Sequence, residues 1–277
     1  MESKEQVRAF TKGIRDTANT SSLMMPFIAM NRERMQYRPS LMLPWTEPKL
    51  LSKQGLDAVS SLATRTAIEM RDIGFNLNLG VMVNTHSFYS YTSDVDRAAR
   101  IGETITKRYA ANRVFTGYQY FPGGADYTVP GMKLDASKAS LMDDDGRVFA
   151  QLIDATRDEH PMIMVNAVKV PSIDANHPVS LSKPIITDWL RNELGFEGVV
   201  MTDDIEVGAA VAGISIEDYA VRTINAGSDM VILCKHAKHI KAVHDALTQA
   251  VADGTISEAR LDESVRRIML MKFSNDR

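Results

Sequence analysis

The chain has 277 residues, of which 44% are hydrophobic and 24% are charged, the composition of a folded globular protein. This balance excludes a mainly disordered chain, a collagen-like repeat and a disulfide scaffold. The net charge of −3 argues against nucleic acid and anionic membranes as partners.

Helical patterns begin near the N-terminus and recur along the chain. Ser3 and Gln6 have capping-box spacing, and Ser182 and Ser215 stand where later helices are expected to begin. Gly74 follows the second pattern and predicts its end. Helices are predicted over residues 3–18, 48–73, 182–194, 215–226, 240–253 and 262–272.

Short apolar runs of strand length separate these helices. Most are apolar throughout, as expected of parallel strands that are covered on both faces. Their alternation with helices predicts one α/β domain over residues 1–277, built on either an open sheet or a closed barrel. The strands are predicted over residues 23–30, 75–83, 114–120, 162–168, 198–202 and 229–234.

The apolar runs are also too short for a membrane protein, because none reaches the roughly 18 residues of a membrane helix. The polar N-terminal residues lack the apolar stretch of a signal peptide, and the single Cys234 is compatible with a reducing compartment. We therefore expect a cytoplasmic location and no membrane partner.

Polar side chains follow most of the predicted strands. Functional groups of parallel sheets and barrels collect at the carboxyl ends of the strands, so these side chains are candidate pocket residues. They are Asn31, His86, Gln119, Tyr120, Asn166, Asp203 and Asp204.

The adjacent carboxylates of Asp203 and Asp204 are the strongest candidates for chemistry. They emerge from the buried run 199–201, where desolvation and fixed geometry suit a nucleophile or a metal ligand. An aspartate at such a place also commonly caps the following helix. The residues alone leave both interpretations open.

Three histidines fall close together near residue 240. His236 and His239 are spaced i, i+3, and His244 lies within reach on the helix predicted over 240–253. A zinc site needs three or four ligands with supporting hydrogen bonds, and the neighbouring Lys235 and Lys238 favour a solvated helix face instead. We therefore expect no metal site and no cofactor.

Three motifs resemble glycoside hydrolase family 3, and most nearly its bacterial β-N-acetylhexosaminidases. Residues 195–205 read Gly-Phe-Glu-Gly-Val-Val-Met-Thr-Asp-Asp-Ile, and residues 227–234 read Gly-Ser-Asp-Met-Val-Ile-Leu-Cys. Phe-Pro-Gly at 121–123 falls in register with the same family. The resemblance covers nearly the whole chain.

This resemblance implies a (β/α)8 barrel and retaining hydrolysis of a terminal β-linked N-acetylhexosamine. Asp203 corresponds to the nucleophile that forms a covalent glycosyl-enzyme intermediate. A second group must protonate the leaving oxygen and then activate water. In the resembled subgroup that group is a histidine with an aspartate partner.

The sequence departs from the family at these positions. The family's Lys-His pair corresponds to Gln119 and Tyr120, and its Asp-Ser-His corresponds to Pro-Gly-Met at 130–132. A methionine cannot donate a proton. The sugar-binding Asp and Arg of the family correspond to Asn31 and His86.

These replacements predict weak or lost hydrolysis with the nucleophile position Asp203 retained. One alternative is an active exo-β-N-acetylglucosaminidase in which Asp126 or Tyr127, from the same loop, replaces the acid/base. Another is a non-catalytic binding or scaffold protein, or a subunit that a second chain completes.

The strand count adds a further expectation. The helix at 3–18 resembles the one before the family's third strand, so the resemblance implies an incomplete TIM-type (β/α)8 barrel with about six of eight strands. Such a barrel exposes strand edges at 23–30 and 229–234. We expect rearranged segments or a second subunit, as in a homo-oligomer, to cover the gap.

Overall fold

The computed structural model describes residues 3–21, 24–32, 46–123 and 131–274. Six strands in these residues form one parallel sheet in which every strand pairs with its neighbours in the sequence. The strands are β1 (Ala29–Met30), β2 (Leu77–Met82), β3 (Phe115–Phe121), β4 (Met162–Val165), β5 (Val200–Asp204) and β6 (Met230–Ile232). The sheet curls into an incomplete barrel, which confirms the predicted fold class.

Helices connect the strands, and within the described residues none is long and apolar enough to cross a bilayer. A π-helix occupies Pro184–Glu193. The α-helices are α1 (Lys4–Thr20), α2 (Pro48–Lys53), α3 (Leu56–Asp72), α4 (Val95–Ala111), α5 (Lys138–Asp143), α6 (Asp145–Ala155), α7 (Ile205–Ala212), α8 (Ile216–Ala226), α9 (Ala237–Ala252) and α10 (Glu258–Ser274).

Several predicted helix boundaries are confirmed and others are wrong, among them the starts at 240 and 262, which lie at Ala237 and Glu258. The hydroxyls of Ser3 and Ser215 accept N–H groups of the first turns of α1 and α8, as predicted. Ser182 does not cap, because its hydroxyl donates to Asp174. The single helix predicted over 48–73 is interrupted at Gly55, whose φ of 97° ends one helix and starts the next.

The two faces of the sheet carry separate apolar cores. On the outer face, Phe121 packs edge-to-face against Phe149 of α6 and Trp189 of the π-helix, with ring centroids 5.3 and 4.9 Å apart. On the inner face, methionine dominates, in keeping with its use as a gap-filler. This inner cluster contains Leu77, Met82, Phe115, Tyr120, Met162, Met164, Val199, Met201 and Met271.

Helix α10 contacts the chain beside both edges of the sheet. At one end Met271 is 1% exposed inside the inner cluster, and Lys272 Nζ donates to the carbonyl of Met25 at 2.9 Å, just before β1. Lys272 also lies 5.0 Å from the ring centroid of Phe27. A helix of the chain itself therefore packs against the inner face beside the β1 edge, and coverage of the gap by a rearranged segment or a second subunit stays a prediction.

The other attachment of α10 is a buried ion cluster around Asp229, just before β6. The Asp229 side chain is fully buried and accepts hydrogen bonds from Arg191 Nη2 (2.6 Å), Arg267 Nη1 (3.1 Å) and Ser264 Oγ (2.8 Å). The N–H of Val200 on β5 donates to the same carboxylate at 3.0 Å. One carboxylate thus joins the π-helix, α10 and the sheet.

Candidate active site

Strand β5 ends in two aspartates that have different roles. The carboxylate of Asp204 accepts the N–H of Glu206 at 3.0 Å and caps α7. Asp203 is exposed, and its Oδ1 accepts the N–H of Asp204 at 2.9 Å. Capping therefore occupies Asp204 and leaves Asp203 open to solvent at the carboxyl edge of the sheet.

Tyr120 brings a hydroxyl to Asp203. Its ring is buried in the inner cluster, and its hydroxyl lies 3.3 Å from Asp203 Oδ2. The preceding Gln119 is also buried, and its Nε2 lies 3.4 Å from the sulfur of Met164. Of this predicted pair, Tyr120 faces the carboxylate and Gln119 faces the barrel interior.

The main chain of Tyr120 is held in place by Asn84, which follows β2. Asn84 Oδ1 accepts the N–H of Tyr120 at 2.7 Å, and Asn84 Nδ2 donates to the Tyr120 carbonyl at 3.0 Å. The same amide group donates to Asp145 Oδ2 at 3.0 Å. The strand end that carries Tyr120 is therefore fixed by side-chain hydrogen bonds as well as by the sheet.

Asp145 at the start of α6 anchors this network. Its Oδ1 accepts the N–H of Thr85 at 2.7 Å and the Thr85 hydroxyl at 3.0 Å. Burial raises the pKa of Asp145 to about 6, although these hydrogen bonds oppose the shift. No local pattern in the sequence marks Asp145, because its partners lie about 60 positions away in the chain.

The remaining predicted site residues are distributed around the same edge. His86 follows β2 but is exposed, and its Nε2 lies 2.7 Å from Asp144 Oδ2. Asn31 follows β1 and is partly buried, while Asn166 follows β4, is buried and accepts the N–H of Val168 at 3.3 Å. Asp126 lies outside the described residues.

A second polar group lies beside Asp203, at the ends of β5 and β6. Glu206 Oε1 lies 2.7 Å from His236 Nδ1 and 2.5 Å from His239 Nδ1, and Glu206 Oε2 accepts the N–H of Lys235 at 2.6 Å. Burial opposes ionisation, but the hydrogen bonds from Lys235, His236 and His239 lower the pKa of Glu206 to about 2. We call these three side chains, Glu206, His236 and His239, the Glu-His-His cluster.

The sequence grouped these histidines with a different third residue. His244 is exposed, and its Nδ1 lies 3.3 Å from Asp245 Oδ1. The group that joins His236 and His239 is a carboxylate some 30 positions upstream. Helical spacing identified the two histidines, but only the pairing of β5 with β6 brings Glu206 to them.

Comparison with known proteins gives a consistent result. The profile described as "Glycosyl hydrolase family 3 N terminal domain" matches residues 1–271. "Beta-hexosaminidase A" of Pseudoalteromonas piscicida is 24% identical over 96% of this chain and 50% of its own length. "Beta-hexosaminidase" of Bordetella avium is 30% identical over 64% of this chain and 54% of its own length.

A solved structure supports the same fold. The glycoside hydrolase family 3 β-N-acetylglucosaminidase from Paenibacillus sp. str. FPU-7 matches with a TM-score of 0.87 at 23% identity, over 99% of this chain and 55% of that chain. The chain thus spans about half the length of these relatives. Because the family profile covers almost every residue, the chain belongs to glycosyl hydrolase family 3.

Proposed function

We propose that this protein binds β-linked N-acetylhexosamine saccharides and retains Asp203 as the nucleophile of a weakened β-N-acetylhexosaminidase. The main support for this proposal is the position of Asp203. Its exposed carboxylate lies at the carboxyl edge of the barrel, 3.3 Å from the Tyr120 hydroxyl. Relatives named β-hexosaminidases support the substrate class.

The weak step in this proposal is protonation of the leaving group. Asp203 would attack the anomeric carbon as the bond to the leaving oxygen breaks, and that oxygen then needs a proton. The acid/base histidine of the resembled family corresponds to Met132, and a thioether has no proton to donate. Turnover should therefore be fastest for substrates whose leaving group needs no proton.

A chromogenic assay separates this proposal from its alternatives. Nitrophenyl β-N-acetylglucosaminide carries a good leaving group, so wild type should release a burst of nitrophenol and accumulate a glycosyl adduct visible by intact mass. Asp203→Ala should abolish both. Asp204→Asn is the matched control, because asparagine also caps a helix and the variant should keep the burst.

The alternatives predict other results in the same experiment. If Asp126 is the acid/base, natural disaccharides with poor leaving groups are hydrolysed rapidly and Asp126→Ala removes that activity. If the protein is only a binding subunit, saccharide binds without any Asp203-dependent burst. A burst that persists in Asp203→Ala overturns the proposal.

A further inference from the structure

The Glu-His-His cluster has the composition of a metal site and takes no part in the proposed hydrolysis. It lies at the ends of β5 and β6, where one ligand-type atom from each side chain falls within 4.8 Å of the others. Two imidazoles and one carboxylate are a ligand set found for Zn²⁺ and related ions in proteins. Metal binding at this cluster does not depend on whether Asp203 is catalytic.

The carboxylate of this cluster is already oriented toward the histidines. The Glu206 side chain is only 6% exposed, and its Oε2 is engaged by the N–H of Lys235. That hydrogen bond turns Oε1 toward Nδ1 of both His236 and His239. Ligating carboxylates in metal sites are commonly fixed in this way by a hydrogen bond to the other oxygen.

The two imidazoles converge on the same oxygen from one side. Their ring centroids are 4.9 Å apart with planes inclined by 58°, so the rings do not stack face to face. His239 is 27% exposed and His236 is 56% exposed, which leaves an approach from solvent. An ion could therefore enter the cluster without displacing a buried side chain.

The geometry points to a divalent transition-metal site, typified by Zn²⁺, that uses Glu206 Oε1 and the Nδ1 atoms of His236 and His239. Metal–nitrogen and metal–oxygen distances near 2.1 Å in a tetrahedron separate the ligand atoms by roughly 3.4 Å. The observed separations of 2.7 and 2.5 Å must therefore widen by less than roughly 1 Å. The exposed side of His236 leaves the fourth position to water.

The location of the site indicates what the ion would do. Glu206 belongs to the first turn of α7, after β5, whereas His236 and His239 begin α9, after β6. Strand β6 is an edge of the incomplete barrel and has one strand partner in the described residues. An ion bound here would cross-link the carboxyl end of β6 to that of β5 and so stabilise the edge strand.

The negative charge at this strand end favours a cation. Asp203 and Asp204 lie within three residues of Glu206, and both are at least partly accessible to solvent. Lys235 and Lys238 are also nearby and exposed, so water screens their repulsion of an ion as it screens the attraction of the exposed Asp203. The less exposed carboxylates of Asp204 and Glu206 are screened less.

The test measures metal binding by the full chain after removal of metal with a chelator. Equilibrium dialysis should give one Zn²⁺ per chain, and Co²⁺ should produce the visible ligand-field bands of a four-coordinate site. Glu206→Gln and His239→Ala should each weaken Zn²⁺ binding by at least about tenfold. His244→Ala is the matched control on the same helix and should bind as wild type does.

A measurement on wild type removes the dependence on variants that fold poorly. In nitrogen-edited spectra of the six imidazoles, Zn²⁺ should shift the signals of two histidines and leave the other four unchanged. Zn²⁺ should also raise the melting temperature of wild type and of His244→Ala, but not of Glu206→Gln. The proposal is overturned if wild type shows no stoichiometric binding, or if Glu206→Gln and His239→Ala bind as wild type does.

Discussion

The hydroxyl of Tyr120 lies 3.3 Å from Oδ2 of Asp203, which joins the carboxyl ends of β3 and β5 through their side chains. A hydrogen bond to a carboxylate is worth about 1.5–3 kcal/mol, and this one is long. We therefore expect Tyr120→Phe to slow the nitrophenol burst by about tenfold.

Tyr118 on the same strand is the control for that substitution. Its hydroxyl lies 2.6 Å from Thr106 Oγ1 and donates to Thr156 Oγ1 at 3.3 Å, on the opposite face of the sheet. Tyr118→Phe should lower stability by about 1 kcal/mol and leave the burst unchanged. Equal bursts in wild type and Tyr120→Phe would show that the Tyr120 contact is only structural.

Asp145 should make stability depend on pH. Its pKa is about 6 in the folded protein, against an ordinary value of 3.8, so between these values the folded state binds more protons than the unfolded chain. Its contribution is fully present below pH 4 and is lost as the pH rises to 6, by about 3 kcal/mol. Urea unfolding of wild type and Asp145→Asn across this pH range measures this change in the free energy of unfolding. If the difference in unfolding free energy between the two proteins did not vary with pH, the raised pKa of Asp145 would be contradicted.

Asp229 should be among the most sensitive positions for stability. Burial lowers the pKa of Arg191 to about 10 against the attraction of Asp229, and Arg260 and Arg267 contact the same carboxylate. Asp229→Asn leaves these guanidinium groups without their anion, so we expect a loss of about 3–5 kcal/mol in denaturant unfolding.

Asp218→Asn provides the comparison for Asp229→Asn. Asp218 forms an exposed ion pair with Arg222 on α8, and such pairs contribute about 0–1 kcal/mol. If the two substitutions cost the same, the buried cluster does not hold the structure together.

Met271 tests whether α10 closes the inner face. Truncation of a buried methionine to alanine costs about 2–5 kcal/mol, because it leaves a cavity. Leu270→Ala, on the exposed side of the same helix at 43% exposure, should cost less than about 1 kcal/mol. Thermal unfolding of both variants distinguishes a closing helix from a peripheral one.

The sheet edges should differ from the centre in amide exchange. Strands β1 and β6 have one strand partner each in the described residues, whereas β3 and β4 are flanked on both sides. We expect slower exchange in β3 and β4 than in β1 and β6. Light scattering at the same protein concentration gives the molar mass in solution and so tests whether the chain forms the predicted homo-oligomer. Protection greatest at β1 and β6 in a monomer would contradict a gap between these two edge strands.

Predictions from the sequence were correct where a structural element is marked by a pattern within its own segment, and they failed where it is not. Apolar runs located the six strands of the described residues, and serine caps located the starts of α1 and α8. Helices α4, α5 and α6 were missed and α7 was given no range, although Asp94 caps α4 by accepting the N–H of Arg97 at 2.8 Å.

The candidate site shows the same division. Asp203 and Tyr120 were found because each lies at the carboxyl end of a recognisable strand. The partners of Asp145 and Glu206 lie on other elements, tens of residues away, and their contacts exist only after the strands pair. The pattern of residues within one segment cannot predict a contact with a residue on a different element.

Within the described residues the sheet is wound in chain order, since consecutive strands pair with each other and β1 and β6 form its edges. During synthesis the strands can therefore join one at a time, and none waits for a distant partner. Helix α10 is different, because it supplies two of the guanidinium groups around Asp229 and the methionine that fills the inner face. Residues 258–271 are therefore needed to complete the core. Until they have left the ribosome, the apolar inner face of the growing barrel is exposed to water.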